Sequence, residues 1–260
     1  MKVIFLIDSL EGYGAEKSIV NYLLKASEEM GIKFLFNATV TGIEKLRKNF
    51  RVTADNDGKE ISATAAMVFN TAGRVPSIKD LDLEKGNVAF SKDGVSVNQY
   101  LQNPTNKNVY ACGDVSDSAG LALTPLSALE SGVVAANILQ EKSRKVVYPP
   151  QPSVVFTLPN LASVGLSEKE ARDRDLDFMV EHKSVPQWFN ARSINENVYA
   201  YKTLIDNKTG HILGAHLIGP EAGEVINLFA MAIFTRIDHK SLKQMIFAYP
   251  TWGNDIKGMV

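Results

Sequence analysis

The sequence lacks the features that mark several common classes of protein. Its 260 residues include a single cysteine, Cys112, which excludes an intrachain disulfide framework and a structural zinc cluster of the cysteine type. No stretch approaches the roughly 18 uninterrupted apolar residues that a membrane-spanning helix needs. We therefore expect no membrane partner, and the cytoplasm is the expected compartment.

An excess of charge of one sign is also absent. The chain carries 28 basic and 29 acidic residues, for a formal net charge of −1, so it has no electrostatic footprint for nucleic acid. Its 4 histidines do not have the spacing of metal ligands, and we expect no metal site. The composition is ordinary for a globular protein, 45% hydrophobic, and the length allows a sizeable core or two modest domains. Small molecules or proteins are the favoured partners.

The N-terminal segment has the pattern of a strand, a turn and a helix. Residues 1–7 are apolar apart from Lys2 and predict a buried parallel strand. Apolar residues at three-to-four spacing predict a helix over residues 19–30, with Gly31 as its left-handed C-terminal cap. Asp8, at the end of the strand, could accept hydrogen bonds from an adenosine ribose or could cap the turn.

Two later segments that we predict as strands also run into glycine turns. Residues 66–70 lead into Gly73-Arg74, and residues 109–111 lead into Gly113-Asp114. A buried strand that ends in such a turn places a carboxylate at the carboxyl edge of a sheet, where ligands bind. Asp114 is therefore a candidate to bind sugar hydroxyls, although capping of a local turn is an equal alternative.

A helix is predicted shortly after this turn. Thr124 is the expected N-cap and Pro125 the first helical residue, and the helix extends to about Gln140. Its first amide groups could face an anionic or carbonyl group of a ligand. Two features that could contact a ligand would then lie near each other.

The most proline-dense stretch, at residues 148–152, predicts a domain boundary near residue 150. Beyond it the sequence predicts short strands, a capping box at Ser167 and Glu170, a hairpin turn at residues 207–210 and an amphipathic helix after Pro220. This second region has an α+β pattern. The predicted fold class is a Rossmann-like α/β nucleotide-binding region followed by an α+β domain.

In this order the motifs resemble those of the pyridine nucleotide-disulfide oxidoreductases, the family of glutathione reductase, dihydrolipoamide dehydrogenase and mercuric reductase. Gly113-Asp114 followed by Thr124-Pro125 is similar to the end of the family's flavin domain. The run from Gly73 to Pro76 resembles its exit from the nicotinamide domain, and residues 155–166 resemble the opening of its interface domain. The resemblance covers most of the chain.

The resemblance implies FAD and NAD(P) as cofactors and three regions in the chain. These are a truncated NAD(P)-binding domain at residues 1–76, the C-terminal part of a flavin domain at 77–150, and a dimerisation domain at 151–260 through which a homodimer would form. Asp114 would bind the flavin ribityl chain, and Leu123, Thr124 and Pro125 would approach the isoalloxazine ring. The other implied cofactor-binding residues are Gly113, Gly73 and Arg74.

The departures from the family pattern concern the cofactor fingerprint and the redox cysteines. The sequence has no flavin-binding Gly-x-Gly-x-x-Gly turn and no cysteine pair. Gly12-Tyr13-Gly14 supplies two glycines of such a fingerprint, but Lys17 stands at the third position, so we interpret this segment as a loop. We expect a C-terminal part that is inactive in isolation, with a separate flavin-domain protein as a partner. The charge of Asp8 would slightly favour NAD over NADP.

The C-terminal segment departs from the family at its acid–base residue. Tyr249 occupies the place of the catalytic histidine, and Asn254 that of the glutamate that orients it. A tyrosine with an ordinary pKa of about 10 is a poor proton acceptor at neutral pH. Tyr249 is therefore the candidate at the catalytic position, but dithiol chemistry of the glutathione reductase type is not expected.

Two other functions fit parts of the sequence. One is a non-catalytic dimerisation and binding remnant that holds no flavin. The other is a retaining glycosyltransferase of the two-Rossmann-domain type. Residues 2–16 of this chain resemble the N-terminal segment of such enzymes. That second match stops near Leu24, so it ranks below the oxidoreductase.

Overall fold

The computed structural model describes residues 3–7, by their backbone, and residues 17–260. Asp8 and Gly12-Tyr13-Gly14 lie outside the described residues. The chain divides into two compact units, a larger one of residues 1–69 with 152–260 and a smaller one of residues 70–151.

The helices are α1 (Lys17–Glu29), α2 (Thr124–Leu139), α3 (Glu168–Asp173), α4 (Phe189–Ser193), α5 (Ala222–Thr235) and α6 (His239–Gln244). The strands are β1 (Val3–Ile7), β2 (Ile32–Phe36), β3 (Ala38–Lys45), β4 (Phe50–Asn56), β5 (Lys59–Ala65), β6 (Phe90–Ser91), β7 (Gly94–Ser96), β8 (Ser116–Asp117), β9 (Ser153–Val155), β10 (Leu161–Gly165), β11 (Phe178–Ser184), β12 (Ala200–Asp206) and β13 (Ile212–Ile218). Short 3₁₀ segments cover Lys79–Leu81, Gly113–Val115 and Trp252–Gly258. None of the described helices has both the length and the apolar character of a membrane span.

The N-terminal strand and helix agree with the sequence prediction. Strand β1 pairs in parallel with β2, and α1 lies between them in the chain. Gly31 follows α1 with a φ of +84°, the left-handed conformation expected of a C-terminal cap. Strands β3, β4 and β5 form an antiparallel meander, and the predicted hairpin at Asp57-Gly58 joins β4 to β5.

The five-stranded antiparallel sheet of the larger unit has the order β11-β12-β13-β10-β9. Because side chains alternate between the two faces of a strand, Tyr201 and Leu217 point to one face, where they cluster with Phe229 of α5. On the opposite face, Ala200 and Ile218 cluster with α1. The sheet is thus covered on both faces within this unit. The predicted combination of α/β and α+β architecture is confirmed.

Three local predictions about the segments around the site are wrong. Residues 66–70 form no strand, and residues 109–111 contribute only an isolated bridge from Tyr110 to Gln102. A strand needs a paired neighbour for its backbone groups, and no described strand pairs with residues 66–70. The N-cap of α2 is Leu123 rather than Thr124, and it makes no side-chain capping bond.

The smaller unit is built mainly from turns that buried amide side chains hold together. The Asn103 side chain donates to the carbonyls of Ala89 and Ser96, each at 2.8 Å. The Asn137 side chain, from α2, donates to the carbonyls of Tyr100 and Arg144 at 2.9 and 2.7 Å. Since unpaired buried carbonyls are unfavourable, these amides replace the sheet ladders that this unit largely lacks.

Candidate functional site: a carboxylate turn at the start of a helix

The Gly113-Asp114 turn rests against the beginning of α2. Gly113 has a φ of +70°, and a Cβ added at this position would lie 3.0 Å from the Oγ of Ser127. Positive φ and this close approach both favour glycine. Asp114, the next residue, is exposed on a single 3₁₀ turn. The predicted carboxylate therefore follows an irregular segment rather than a strand, and it lies beside the first turn of α2.

A buried carboxylate, Glu130 of α2, accepts three hydrogen bonds at this turn. The backbone amide of Gly113 donates to its Oε2 at 2.6 Å. The hydroxyls of Ser118 and Tyr148 donate to its Oε1, at 2.8 and 2.5 Å. Glu130 is only 2% exposed. It therefore joins α2 to the loop of residues 113–118 and to Tyr148.

The surroundings of Glu130 change the acidity of two neighbouring groups. Burial, and then the hydrogen bond to Glu130, raise the pKa of Tyr148 to about 12. Burial, and then the negative charge of Glu130, also raise the pKa of the Cys112 thiol. At neutral pH both groups therefore keep their protons.

The two motifs that resemble the family's domain exits meet at an ion pair. Nη1 of Arg74 lies 2.8 Å from Oδ2 of Asp114. Both side chains are well exposed, so the pair contributes only about 0–1 kcal/mol to stability. Its importance is positional, because it brings Gly73-Arg74 to Asp114 across 40 residues of sequence. Gly73 itself has a φ of +100°, with nothing within 4 Å of an added Cβ.

The N-terminus of α2 is open. Leu123 is extended and offers no side-chain cap, and a proline stands in the first turn. Thr124 and Pro125 are exposed. Within this first turn Pro125 has no amide, and the amides of Leu126 and Ser127 donate to the carbonyl of Leu123 at 2.9 and 3.2 Å. The helix start can therefore offer a ligand the Thr124 amide and a partial positive charge. Asp114 follows the glycine that lies against Ser127, in the helix turn that Thr124 and Pro125 begin, and all of these residues belong to the smaller unit.

The C-terminal motif lies in the larger unit. Tyr249 is 67% exposed, and its ring centroid is 5.8 Å from that of Phe189. Thr251 caps the following 3₁₀ segment by accepting a hydrogen bond from the amide of Asn254 at 3.2 Å. Tyr249 is therefore held by an aromatic contact, and Asn254 participates through its backbone.

Asp255, the carboxylate nearest in sequence to this motif, is hydrogen-bonded to a different tyrosine, Tyr199. Its Oδ2 accepts hydrogen bonds from the Tyr199 hydroxyl at 3.0 Å and from the Asn190 side chain at 3.1 Å. Burial raises the pKa of both Asp255 and Tyr199. Within the described residues, no group of three or more histidine, cysteine or acidic side chains could hold a metal ion.

Sequence reasoning missed Glu130 and Asp255. The signal for Glu130 was an acidic residue within a helix of small and apolar residues, and that for Asp255 was an acidic residue directly after Asn254. Neither signal has a fixed meaning, because burial of a carboxylate depends on which distant donors reach it.

Comparison with known proteins gives a family. Residues 3–146 match the pyridine nucleotide-disulphide oxidoreductase family, and residues 151–260 match its dimerisation domain. An uncharacterized 19.7 kDa protein in a mercuric resistance operon of Staphylococcus aureus is 50% identical over 180 residues, which are 69% of this chain and 100% of that protein. Mercuric reductase of Staphylococcus aureus is 30% identical over 230 residues, which are 88% of this chain and 42% of the reductase.

Among solved structures, the Cu(II) complex of the HOCl-induced flavoprotein disulfide reductase RclA from Escherichia coli superposes with a TM-score of 0.84 at 25% identity. The match covers 99% of this chain and 59% of that one. The chain spans about half the length of the reductases that it matches. On the match of residues 3–146 and 151–260, this chain belongs to the pyridine nucleotide-disulphide oxidoreductase family.

Proposed function

We propose that this chain supplies the ribityl-binding turn, the flavin-facing helix start and the dimerisation domain of an FAD- and NAD(P)-dependent oxidoreductase. The observation that carries the proposal is the Gly113-Asp114 turn, which lies so close to Ser127 in the first turn of α2 that a Cβ added at Gly113 would be 3.0 Å from its Oγ. An exposed carboxylate and an open helix start then lie side by side.

The residues present fit a flavin. Arg74 donates a hydrogen bond to Oδ2 of Asp114, so Oδ1 is the oxygen that would accept a hydrogen bond from a ribityl hydroxyl. The start of α2 would place the Thr124 amide and a positive partial charge near a flavin carbonyl. Bound FAD would supply the hydride and electron transfer that these side chains cannot perform. Arg74 holds the carboxylate in place and Gly113 permits its close approach to the helix.

The chain's own side chains do not offer the acid–base and thiol chemistry typical of the family. Cys112 is the single cysteine of the sequence, and burial raises its pKa, so it remains a thiol at neutral pH. A dithiol would require a second thiol from outside this sequence. Tyr249 places a phenol where the family's histidine would act as acid and base. We propose that any substrate reduced by the assembled enzyme exchanges protons with another group.

An absorption spectrum of the purified chain, taken after incubation with excess FAD and removal of the unbound FAD, tests the flavin site. We expect the blue band of bound oxidised flavin, and Asp114→Ala should weaken the affinity for FAD about tenfold because a hydrogen bond to a charged acceptor is lost. Asp117→Ala is the matched control, an exposed acidic residue three positions further on. Absence of flavin binding by the wild-type chain would remove the flavin part of the proposal.

A non-catalytic dimerisation and binding protein is the second candidate. The observation that favours it is the 19.7 kDa relative, which this chain matches over that protein's whole length. A dimer that binds no FAD at any concentration would favour this candidate. Flavin binding by the wild-type chain, lost in Asp114→Ala, would favour the first.

A further inference from the structure

The most deeply buried acidic group of the smaller unit, Glu130, lies behind the turn proposed to bind flavin. We propose that Glu130 is the positioning residue of the Gly113-Asp114 turn, fixing the direction in which Asp114 is presented to the ribityl chain. This inference rests on the proposed function. It deepens that function by naming the group that shapes the site from behind.

Three contacts carry the inference, two from the loop that holds Asp114 and one from Tyr148. The Gly113 amide donates to Oε2 of Glu130 at 2.6 Å, and the hydroxyls of Ser118 and Tyr148 donate to Oε1. Ser118 in turn accepts from the amide of Gly120 at 3.3 Å. The carboxylate therefore fixes both sides of the loop that holds Asp114.

The contact with Gly113 acts directly on Asp114. The peptide that joins Cys112 to Gly113 is held in place because its N–H donates a hydrogen bond to Glu130. The residue after Gly113 is Asp114 itself. On the same face of α2, one turn earlier, Ser127 touches Gly113. Residues three apart share a helix face, so Ser127 and Glu130 form one surface of α2 against which this turn lies. Rotation of the turn would break both contacts.

A neutral side chain would be the easier residue to bury here. A buried carboxylate is unfavourable unless its oxygens are well satisfied, and its three donors are an amide and two hydroxyls. Hydrogen bonds to a charged acceptor are shorter and stronger than those between neutral groups. The charge at position 130 therefore gives the turn a stiffness that Gln or Leu could not provide.

The test compares Glu130→Gln with a control in the same helix. Ser131→Ala alters the exposed neighbour of Glu130 in α2, whose hydroxyl donates to the carbonyl of Ala128 and not to the turn. We expect Glu130→Gln to speed hydrogen exchange of the Gly113 amide and to weaken FAD binding, each about tenfold. Ser131→Ala should leave both unchanged.

Cys112 provides an independent readout, since it is the single thiol in the sequence. The negative charge of Glu130 contributes to its raised pKa. In Glu130→Gln, the pH profile of alkylation by iodoacetamide should therefore move to lower pH, with faster reaction at neutral pH. Tyr148→Phe, which removes one donor and keeps the bond to Gly113, should retain FAD affinity better than Glu130→Gln.

The outcomes separate this inference from the proposed function. If the wild-type chain binds no FAD, the proposed function fails. The hydrogen-exchange rate of the Gly113 amide, together with the pH profile of Cys112 alkylation, still decides the role of Glu130. Unchanged exchange at Gly113 in Glu130→Gln would overturn the inference. An equal shift of every readout in Ser131→Ala would overturn it as well, because general loosening of the helix would then explain the effect.

Discussion

At the residue scale, the site depends on one glycine that no other residue can replace without strain. Gly113 combines a positive φ with a position where an added Cβ would be 3.0 Å from the Oγ of Ser127, closer than an ordinary van der Waals contact. Its neighbour Asp114 derives its position from this turn. The carboxylate alone would be an ordinary exposed acid.

Gly113→Ala should therefore lower the free energy of unfolding by about 1–2 kcal/mol, the typical penalty of the left-handed conformation for an L-residue. Urea denaturation measures the change. Gly132→Ala is the control, because Gly132 lies in the middle of α2 with nothing within 4 Å of an added Cβ. That substitution should stabilise the chain by about 0.5–1 kcal/mol. Similar losses in both variants would contradict the argument.

At the scale of elements, helix α3 is fastened to the five-stranded sheet by a partly buried ion pair. Nζ of Lys202, on β12, lies 2.5 Å from Oε2 of Glu168 at the start of α3. The Lys202 side chain is 7% exposed and that of Glu168 is 25% exposed. The predicted capping box, formed by Ser167 and Glu170, is confirmed at the same helix end. Local capping and a long-range pair thus fix one short helix.

Glu168→Gln should destabilise the chain at neutral pH by about 1–3 kcal/mol, the usual range for a hydrogen bond to a charged group. The hydrogen bond from Lys202, followed by that from Arg172, lowers the pKa of Glu168. The stabilisation is therefore present above the ordinary carboxyl pKa and is lost as the pH falls through the lowered value. Thermal or urea unfolding at several pH values should show the difference between wild type and variant shrinking on acidification.

The control for this pair lies on the same helix. Lys169 and Asp173 form an exposed pair four residues apart, and such pairs contribute only about 0.3–0.5 kcal/mol. Asp173→Asn should therefore change the unfolding free energy little at any pH. A pH-independent loss in Glu168→Gln would mean that packing, rather than charge, fastens α3.

At the scale of the whole molecule, the dimerisation domain carries large apolar side chains on its surface. On α5, Met231 is 55% and Phe234 66% exposed, and Ile246, which follows α6, is 97% exposed. Exposed apolar side chains of this size commonly mark interaction surfaces. We propose that a second copy of the chain covers them.

Phe234→Glu should therefore shift the chain from dimer to monomer, because a charge would be buried without a partner in the interface. Size-exclusion chromatography with light scattering gives the mass directly. Leu139→Glu is the control, since Leu139 is 89% exposed but lies in the smaller unit. A wild-type monomer, or an unchanged dimer in Phe234→Glu, would argue against this surface.

The sequence by itself determined the features whose causes are local. The hairpin at Asp57-Gly58, the cap at Gly31 and the capping box at Ser167 follow from residue types that fit one backbone geometry, and each forms where predicted. The order of the motifs was enough to identify the family, because the Gly-Asp and Thr-Pro pairs can be recognised in the sequence without knowledge of the contacts that they make.

Only the tertiary structure decided what these motifs touch. The approach of Arg74 to Asp114, the burial of Glu130 and the irregular path of residues 66–70 depend on segments distant in the chain. Whether an apolar run pairs as a strand, or an acid becomes a buried acceptor, is set by the partners that folding brings to it. The helical or strand periodicity of a segment cannot specify those partners. Packing and the satisfaction of hydrogen bonds in the folded chain specify them.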